Sequence, residues 1–324
     1  GLRAFGIAAV IVAAAGLVSI VYNAGSTFGL AGLMAWSVFL HAPLFLIGSG
    51  LVALRSNAVL ATVAWATAAL IALVALDAFL IEPHWLEVSR ITIPSAKIAE
   101  PLRIVVIADV QTDRPGDYEA RVFDTAMAQA PDLILFAGDY IHTGRRSRGY
   151  EAEVAALNDL LVGSRMAAPL GIYAIAGNVD RGGDWTQVFA GLQATTVVET
   201  ARYDLGPVVL TGLALDDAFD QNLRVEGANA FHIVLGHSPN FSLGSVDADL
   251  LIAGHTHGGQ VRLPFIGPVM TLSAVPRSWA AGVTEIAQGK TLIVSRGIGM
   301  ERGQAPRLRF LCRPELMVVD LVPE

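Results

Sequence analysis

Two histidines separated by one residue are the part of this chain best suited to chemistry. They lie in residues 253–260, which read AGHTHGGQ and follow an apolar run, so both imidazoles can face a shared metal site. A histidine pair alone is weak evidence, because such pairs also occur as ordinary turn or core residues. Four polar residues that end other apolar runs strengthen it: Asp109, Asp139, Asn178 and His237.

These segments are typical of short buried strands that each deliver a polar side chain at the carboxyl end. That edge is where open α/β sheets usually place their sites. Carboxylate, amide and imidazole ligands suit one or two divalent metal ions, and Asp139 could bridge two ions about 3.5–4 Å apart, which favours phosphoester hydrolysis. Taken singly, the residues are equally compatible with caps, turns or a satisfied core histidine; their joint order favours the site.

The order of these motifs resembles that of the calcineurin-like metallophosphoesterases: Asp-x-His, Gly-Asp, Gly-Asn-His-Asp or Glu, a lone His, and Gly-His-x-His. The resemblance covers about residues 102–321. The segments GGQVRLPFIGP and SRGIG are similar to those of the membrane-associated bacterial branch, which includes hydrolases of UDP-2,3-diacylglucosamine. The resemblance implies a four-layer α/β/β/α sandwich and a metal-dependent phosphoric ester hydrolase, acting on a phosphodiester or a pyrophosphate.

The resemblance also implies two divalent metal ions, with Mn²⁺ favoured and Mg²⁺, Fe or Zn²⁺ left open. The ligands it assigns to the first ion are Asp109, Asp139 and His257, with Gln111 beside them. The ligands it assigns to the second ion are Asp139, Asn178, His237 and His255. The expected catalytic residues are Asp109, Asp139, Asn178, His237 and His255.

Two positions depart from the family pattern. Gln111 lies where the family usually has a histidine ligand, and Val179 lies where it usually has the histidine thought to protonate the leaving group or to hold the phosphate. A glutamine carbonyl can coordinate, and it tilts the first site toward Mn²⁺ or Mg²⁺. Valine cannot transfer a proton, and general acid catalysis is typically worth about 10²–10⁴-fold. The rate of hydrolysis should therefore fall least for substrates that have a good leaving group.

The first quarter of the chain is almost free of charge. Residues 1–81 contain only Arg3, Arg55 and Asp77 as charged side chains. Crossing a bilayer takes about 20 apolar residues, and three segments approach or exceed that length: 4–21, 30–54 and 59–76. The sequence therefore predicts a multi-pass anchor of three transmembrane helices in residues 1–84, placed in the bacterial inner (cytoplasmic) membrane. A channel or pump is disfavoured, because charges are missing from the middle of the spans.

The orientation of this anchor rests on two arginines. Arg3 and Arg55 flank the first and third spans, and the positive-inside bias then favours an extracytoplasmic catalytic domain. A UDP-linked lipid is expected in the cytosol, so that substrate and this orientation exclude each other. A phospholipid or a polyprenyl phosphate would suit the outer side.

The remainder predicts an extended connector, 85–101, and one layered catalytic domain, 102–324. Strand-like runs alternate with amphipathic helices near 118–129 and 151–162, and later runs are shorter and broken by Gly and Pro, which predicts two packed sheets. The runs are 103–107, 133–136, 171–175, 208–213, 232–235, 250–252, 291–294 and 316–321. The predicted fold class is α/β, a four-layer α/β/β/α metallophosphoesterase sandwich preceded by an all-α transmembrane region of about three helices.

The resemblance implies a phosphoester substrate, which could be lipid-linked, and the apolar first quarter of the chain implies contact with membrane lipids. A net charge of −7 disfavours nucleic acid, and no protein partner is indicated. The single cysteine, Cys312, excludes an internal disulfide. Arg145 and Arg146 begin a basic cluster that could contact a substrate phosphate or anionic lipid headgroups, although a solvated loop explains it equally well.

A second hypothesis comes from a different class of protein. Gln111 and Val179 are also compatible with a phosphoesterase domain that has become catalytically weak or inactive and serves as a metal-binding membrane module. Metal binding without turnover on any ester would support this alternative. The ligand types kept at the other motif positions favour the enzyme.

Overall fold

The computed structural model describes residues 26–143, 149–182 and 184–324. These residues form two compact units. The first runs to Leu80 and includes Glu301–Arg307, and the second comprises Ile81–Met300 and Leu308–Glu324. The predicted span at 4–21 and the candidate phosphate contacts Arg145 and Arg146 lie outside the described residues.

The first unit is helical. Its α-helices are α1 (Thr27–Trp36), α2 (Ala42–Ala53) and α3 (Ala58–Leu76). A π-helical turn joins α1 to α2, and a second one extends α3, so the two continuous helical segments are Thr27–Ala53 and Ala58–His84. The side chains of Ser26 and Asn57 accept backbone N–H groups in the first turns of α1 and α3, which fixes where these helices begin.

Both helical segments are long and apolar enough to cross a membrane, judged by length and composition. Each has 27 residues, about 40 Å at the rise of an α-helix, whereas a hydrocarbon core is about 30 Å thick. Their large apolar side chains are exposed, with Met34 at 68%, Val52 at 70% and Val59 at 75%. The predicted spans at 30–54 and 59–76 overlap these segments, and the first predicted span, 4–21, lies outside the described residues.

The second unit is a mixed α/β structure. Its helices are α4 (Asp117–Met127), α5 (Tyr150–Gly163) and the short α6 (Leu215–Phe219). Its strands in chain order are β1 (Glu87–Ser95), β2 (Leu102–Ile107), β3 (Leu133–Phe136), β4 (Ile172–Ile175), β5 (Ala194–Val197), β6 (Ala201–Asp204), β7 (Val208–Gly212), β8 (Arg224–Val225), β9 (Phe231–Leu235), β10 (Ser245–Val246), β11 (Leu250–Ala253), β12 (Arg262–Leu263), β13 (Gly267–Pro268), β14 (Gly282–Ala287), β15 (Lys290–Val294) and β16 (Glu315–Pro323).

Two six-stranded sheets organise this unit. Their strand orders are β1-β16-β2-β3-β4-β5 and β14-β15-β11-β9-β7-β6. Strands β2 to β5 pair in parallel, as do β7, β9, β11 and β15, and β1 is parallel to β16. Antiparallel pairing joins β16 to β2 within the first sheet and forms both edges of the second, β14 with β15 and β6 with β7. The parallel pairing brings the carboxyl ends of several strands to one edge of each sheet.

Successive side chains of a strand point to opposite faces of the sheet, so each strand contributes to two layers of the apolar core. In β2, Ile104 and Val106 pack with Ile233 and Leu250 of the second sheet, whereas the intervening side chains pack with helices α4 and α5. The outer face of the second sheet packs against α6 and the 3₁₀ turn Pro239–Leu243. The predicted pair of packed sheets is therefore present, with two regular helices on one outer face and shorter helical turns on the other.

The strands and helices that the sequence predicts after residue 101 begin and end within two residues of their observed counterparts. The segment predicted as a connector, 85–101, contains the edge strand β1, which pairs in parallel with β16. An edge strand tolerates Pro94, and β1 is only half-buried, so it lacks the apolar pattern of the central strands. The compact unit that contains β1 begins at Ile81.

The loops after β3 and β4 approach each other closely. A Cβ atom on Gly177 would lie 2.1 Å from Asp139 Oδ1 and 2.3 Å from the Asp139 backbone nitrogen. Any side chain at position 177 would therefore displace the loop that carries Asp139. A Cβ atom on Gly163, at the end of α5, would meet nothing within 4 Å.

We expect Gly177→Ala to destabilise the protein by at least about 2 kcal/mol, because the added methyl group overlaps atoms with no room to move. Gly163→Ala should have no destabilising effect, because alanine is the better helix former. Urea unfolding of both variants measures the difference. Equal midpoints for Gly177→Ala and Gly163→Ala would contradict the close approach of the two loops.

Candidate functional site

The candidate ligands follow the carboxyl ends of parallel strands in both sheets. Asp109, Asp139 and Asn178 follow β2, β3 and β4 of the first sheet. His237 and the His255–Thr256–His257 turn follow β9 and β11 of the second. The sandwich thus places loops from both sheets beside one another at a single edge.

The backbone turns sharply where these side chains leave the strands. The φ angle is 50° at Asp109, 58° at Asp139, 70° at His255 and 49° at His257. Gln111 has a φ angle of 38°. Left-handed backbone costs a residue other than glycine about 1–3 kcal/mol, and such strain clusters at functional sites. Packing of the strands must compensate for it here.

Asp109, Asp139 and His237 form the centre of the site. One candidate ligand atom from each lies within 4.8 Å of the others, and all three side chains are buried. His237 Nδ1 donates a hydrogen bond to the Ala137 carbonyl at 2.8 Å, which fixes the orientation of the ring. Its Nε2 then faces Asn178 Oδ1 at 3.0 Å and Asp139 Oδ2 at 3.4 Å. Such convergence of acceptor atoms requires a proton or a cation between them.

The charges of this cluster depend on one another. Burial raises the pKa of Asp109 to about 7. Burial alone would lower the pKa of His237, but the carboxylates of Asp139 and Asp109 raise it to about 9. Burial would likewise raise the pKa of Asp139, but His237 lowers it to about 2. Without a metal the cluster therefore retains protons at neutral pH, and a divalent cation would displace them.

His255 extends the cluster toward the surface. Its backbone N–H donates to Asp109 Oδ1 at 2.9 Å, and its ring lies 5.0 Å from that of His237. The ring Nε2 lies 3.3 Å from the Leu272 carbonyl, to which it can only donate, so Nδ1 keeps its lone pair. Phe219 of α6 packs edge-on against the His255 ring at 5.0 Å and forms an apolar wall of the site.

The surroundings of the His257 side chain show whether a metal ion would fit these residues. The side chain is buried, and neither ring nitrogen has a hydrogen-bond partner. Burial and the nearby Arg309 charge hold the pKa of His257 well below its usual value, so the imidazole is neutral. A buried polar group without a partner is costly, whereas a neutral imidazole is a common metal ligand. The charge of Asp139 and the imidazoles of His237 and His255 are near enough to act on this side chain, and carboxylate with imidazole is a donor set that fits a divalent transition metal.

Gln111 is buried, and its side chain contacts a second histidine. Gln111 Nε2 lies 2.9 Å from His142 Nδ1, to which the amide donates its hydrogen. The Gln111 backbone N–H donates to the Asp139 carbonyl at 2.8 Å. His142 therefore orients the amide group of Gln111, whose carbonyl oxygen is the only atom of that group able to coordinate a cation.

Asp180 holds the loop that carries Asp139. Its carboxylate accepts backbone N–H groups from Asp139 at 2.8 Å, Tyr140 at 3.0 Å and Gly177 at 2.7 Å. The Val179 N–H donates to Asp139 Oδ1 at 2.9 Å. The turn containing Asn178 thus supports Asp139 through the backbone, which does not depend on the side chain at position 179.

Arg309 is a structural residue that the sequence analysis missed. Its side chain is fully buried and donates to the main-chain carbonyls of Arg296, Gly297, Gly299 and Cys312, with one longer contact to Cys312 Sγ at 4.0 Å. This fixes the segment 296–299 against Asp109, because a Cβ atom on Gly297 would lie 2.7 Å from Asp109 Cβ and the Gly299 N–H donates to the Asp109 carbonyl at 2.7 Å. An arginine within the apolar run LRFLC was the one available signal.

The structure brings five of the predicted site residues into contact: Asp109, Asp139, Asn178, His237 and His255. Gln111 contacts the Asp139 loop, and His257 lies two residues after His255 in the same turn. Arg145 and Arg146 are outside the described residues. Residues 102–259 match the calcineurin-like phosphoesterase family. The uncharacterized metallophosphoesterase YkuE of Bacillus subtilis (strain 168) is 32% identical over 261 residues, which cover 74% of this chain and 87% of that protein. This chain belongs to the calcineurin-like phosphoesterases.

Further relatives agree with that membership. Phosphodiesterase YaeI of Escherichia coli (strain K12) is 28% identical over 256 residues, covering 74% of this chain and 90% of that protein. An uncharacterized metallophosphoesterase of Aquifex aeolicus (strain VF5) is 24% identical over 262 residues, covering 74% of this chain and 94% of that protein. The family resemblance is thus confirmed, and the protein is a metal-dependent phosphoric ester hydrolase with mixed α/β sheets consistent with that fold.

We expect Arg309→Met to lower the free energy of unfolding by at least about 3 kcal/mol, because several buried carbonyls lose a charged donor. Arg309→Lys should lose less, since an ammonium group keeps up to three donors. Exposed Arg224 on β8 provides the control, and Arg224→Met should change stability by less than about 0.5 kcal/mol. Denaturant unfolding with the same loss for Arg309→Met and Arg224→Met would rule out this structural role.

We expect His142→Ala to weaken metal binding about 10–100-fold, the usual effect of removing a group that orients a ligand. Titration of Mn²⁺, with free ion followed by electron paramagnetic resonance, measures the affinity. His84→Ala is the matched control, because His84 is an exposed histidine whose ring packs on Tyr118. Unchanged affinity in His142→Ala would exclude Gln111 and His142 from the metal site.

Proposed function

We propose that this protein is a membrane-anchored phosphodiesterase or pyrophosphatase that uses two divalent metal ions and acts on a lipid-linked phosphoester. The observation that carries the proposal is the buried cluster of Asp109, Asp139 and His237 at the strand ends. The name of the YaeI relative favours a phosphodiester among the family's substrates. Mn²⁺ is the proposed metal, because carboxylate and amide oxygens outnumber soft ligands.

The two ions would be held by overlapping sets of side chains. We assign Asp109, Asp139, Gln111 and His257 to the first ion, and Asp139, Asn178, His237 and His255 to the second. The geometry of the cluster supports Asp139 as the shared ligand, since it lies next to His237 and receives the Val179 N–H on its other oxygen. When bound, the ions supply positive charge to a phosphate and lower the pKa of a water molecule.

The chain's own residues would orient and select the substrate. His237 is held by the Ala137 carbonyl, and His255 by the Leu272 carbonyl, so both imidazoles are preorganised beside the phosphate position. Phe219 would exclude water from one side of the site. Val179 cannot donate a proton, so the leaving group must depart with little help, which favours a nucleotide or another stable anion.

Membrane attachment would come from the two apolar helical segments, whose exposed surface is suited to lipid. An anchored hydrolase meets lipid-linked substrates at high local concentration, and UDP-2,3-diacylglucosamine is one compound of this class. A reporter enzyme fused after Glu324 shows on which side of the membrane the catalytic domain lies. Activity only in the cytosol permits the UDP-linked lipid, and activity only outside favours a phospholipid or a polyprenyl phosphate.

We expect detergent-purified protein to hydrolyse bis-p-nitrophenyl phosphate in the presence of Mn²⁺, and Asp139→Ala to lower the rate at least about 100-fold, because the bridging charge is lost. Asp124→Ala removes an exposed aspartate of α4 and should keep the full rate. The ratio of diester to monoester turnover then defines the substrate class.

Two results would change the assignment. Binding of metal without turnover on diesters, monoesters or pyrophosphates would favour the alternative of an inactive metal-binding module. Absence of metal binding, or equal rates in Asp139→Ala and the parent protein, would show that the site is assigned to the wrong residues.

A further inference from the structure

A short hairpin beside the site exposes an unusually apolar tip. Strands β12 and β13 are joined by Pro264, Phe265 and Ile266. Phe265 is fully exposed and Ile266 is 65% exposed. The hairpin has only two paired residues in each strand, and its large apolar tip residues bury little surface against the rest of the protein. Such exposed apolar residues are typical of a surface that contacts an apolar partner. Further exposed apolar residues continue from the hairpin: Leu263, Val269 and Leu272.

The hairpin also lacks negative charge. Residues 262–274 contain Arg262 as their one charged side chain, in a protein with a net charge of −7. A basic residue at the base of an apolar tip is compatible with anionic lipid headgroups, where an acidic residue would be repelled.

The hairpin is built directly on the metal-ligand segment. Gly259 has no room for a side chain, because its Cβ would lie 2.5 Å from Pro268 Cβ. The Val269 N–H donates to the Val261 carbonyl at 3.1 Å, and Leu272 accepts from His255 as described above. A molecule that contacts the hairpin therefore lies next to the candidate site.

Hydrogen bonds also connect the hairpin to the end of the second apolar helical segment. The Arg262 N–H donates to the Phe310 carbonyl at 2.9 Å, and the following Leu311 N–H donates to Glu82 Oε2 at 2.8 Å. Glu82 is buried and belongs to Ala58–His84. The backbones of Arg262 and Phe310 are joined as in neighbouring strands, which lie about 5 Å apart. Because Leu311 follows Phe310, the base of the hairpin is close to the Glu82 side chain.

The residues after Glu82 have the character of a membrane interface. Trp85 is 55% exposed, and the guanidinium group of Arg313 lies 4.2 Å from the centre of its ring. Tryptophan and arginine are typical of the headgroup region, where an apolar ring and a charge are both accommodated. Leu311, between this pair and the hairpin base, is also exposed.

We propose that the hairpin tip, Phe265 and Ile266, inserts into the lipid interface of the bilayer that holds the apolar helices. This rests on the membrane attachment in the proposed function, and it adds a second contact next to the site. The hairpin would keep the His255 side of the site at the membrane surface, where a lipid-linked phosphoester presents its headgroup. The occupant of this apolar surface is thus a bilayer.

The test uses the full-length protein in vesicles of phosphatidylethanolamine and phosphatidylglycerol. Phe265→Cys is labelled in detergent with an environment-sensitive nitrobenzoxadiazole dye before reconstitution; buried Cys312 is protected from the reagent. Val198→Cys is the matched control, because Val198 is a similarly exposed apolar residue after β5. Circular dichroism checks that both variants are folded.

We expect the dye at position 265 to shift to shorter wavelength and to be quenched at least about twofold more than at position 198 by doxyl-labelled lipid. Equal quenching at both positions would overturn the proposal. Shielding at 265 without lipid quenching, together with crosslinking between two copies, would identify a second copy as the partner and would also overturn it. The readout needs no turnover, so an inserted but inactive protein would refute the proposed hydrolase function alone.

Discussion

The site depends on the burial of two carboxylates against the imidazole of His237. Acceptor atoms of Asp139 and Asn178 converge on His237 Nε2, and this arrangement is stable only with a proton or a cation among them. Backbone N–H groups help to stabilise the negative charge of the two carboxylates: that of His255 donates to Asp109, and that of Val179 donates to Asp139. The fold therefore forms a preorganised cavity for positive charge.

The candidate ligands have strained backbone conformations, and buried polar side chains hold the loops that carry them. Several candidate ligands have left-handed φ angles, which place their side chains at the strand ends at a cost in free energy. Arg309 and Asp180, neither of which is a candidate ligand, fix the loops that carry Asp109 and Asp139 through main-chain hydrogen bonds. Cys312 adds a contact from Sγ to the His257 carbonyl at 3.3 Å. The geometry of the candidate ligands is thus set in part by residues that are not themselves candidate ligands.

The two departures from the family pattern have different consequences. Gln111 is integrated in the structure, because its amide is oriented by His142 and its backbone pairs with the loop of Asp139. Val179 keeps the backbone contact of that position and lacks only a side chain able to transfer a proton. Weaker proton transfer with intact charge stabilisation is compatible with a hydrolase of esters that have good leaving groups.

The sequence by itself determined the family, the enzyme class, the strand ends that carry the candidate ligands and the two apolar segments that are described. These are local properties: periodicity of apolar residues, motif order and uncharged length are all present along the chain. Three features were decided only by the tertiary structure. His142 contacts Gln111, Arg309 holds the segment that packs against Asp109, and β1 forms an edge strand of the first sheet. Each of these joins residues far apart in the chain through burial and main-chain hydrogen bonds, for which a single sequence has no periodic signal. The exposed hairpin tip belongs to the same group, because apolar residues near a metal motif are expected to be buried until the fold shows that they are not.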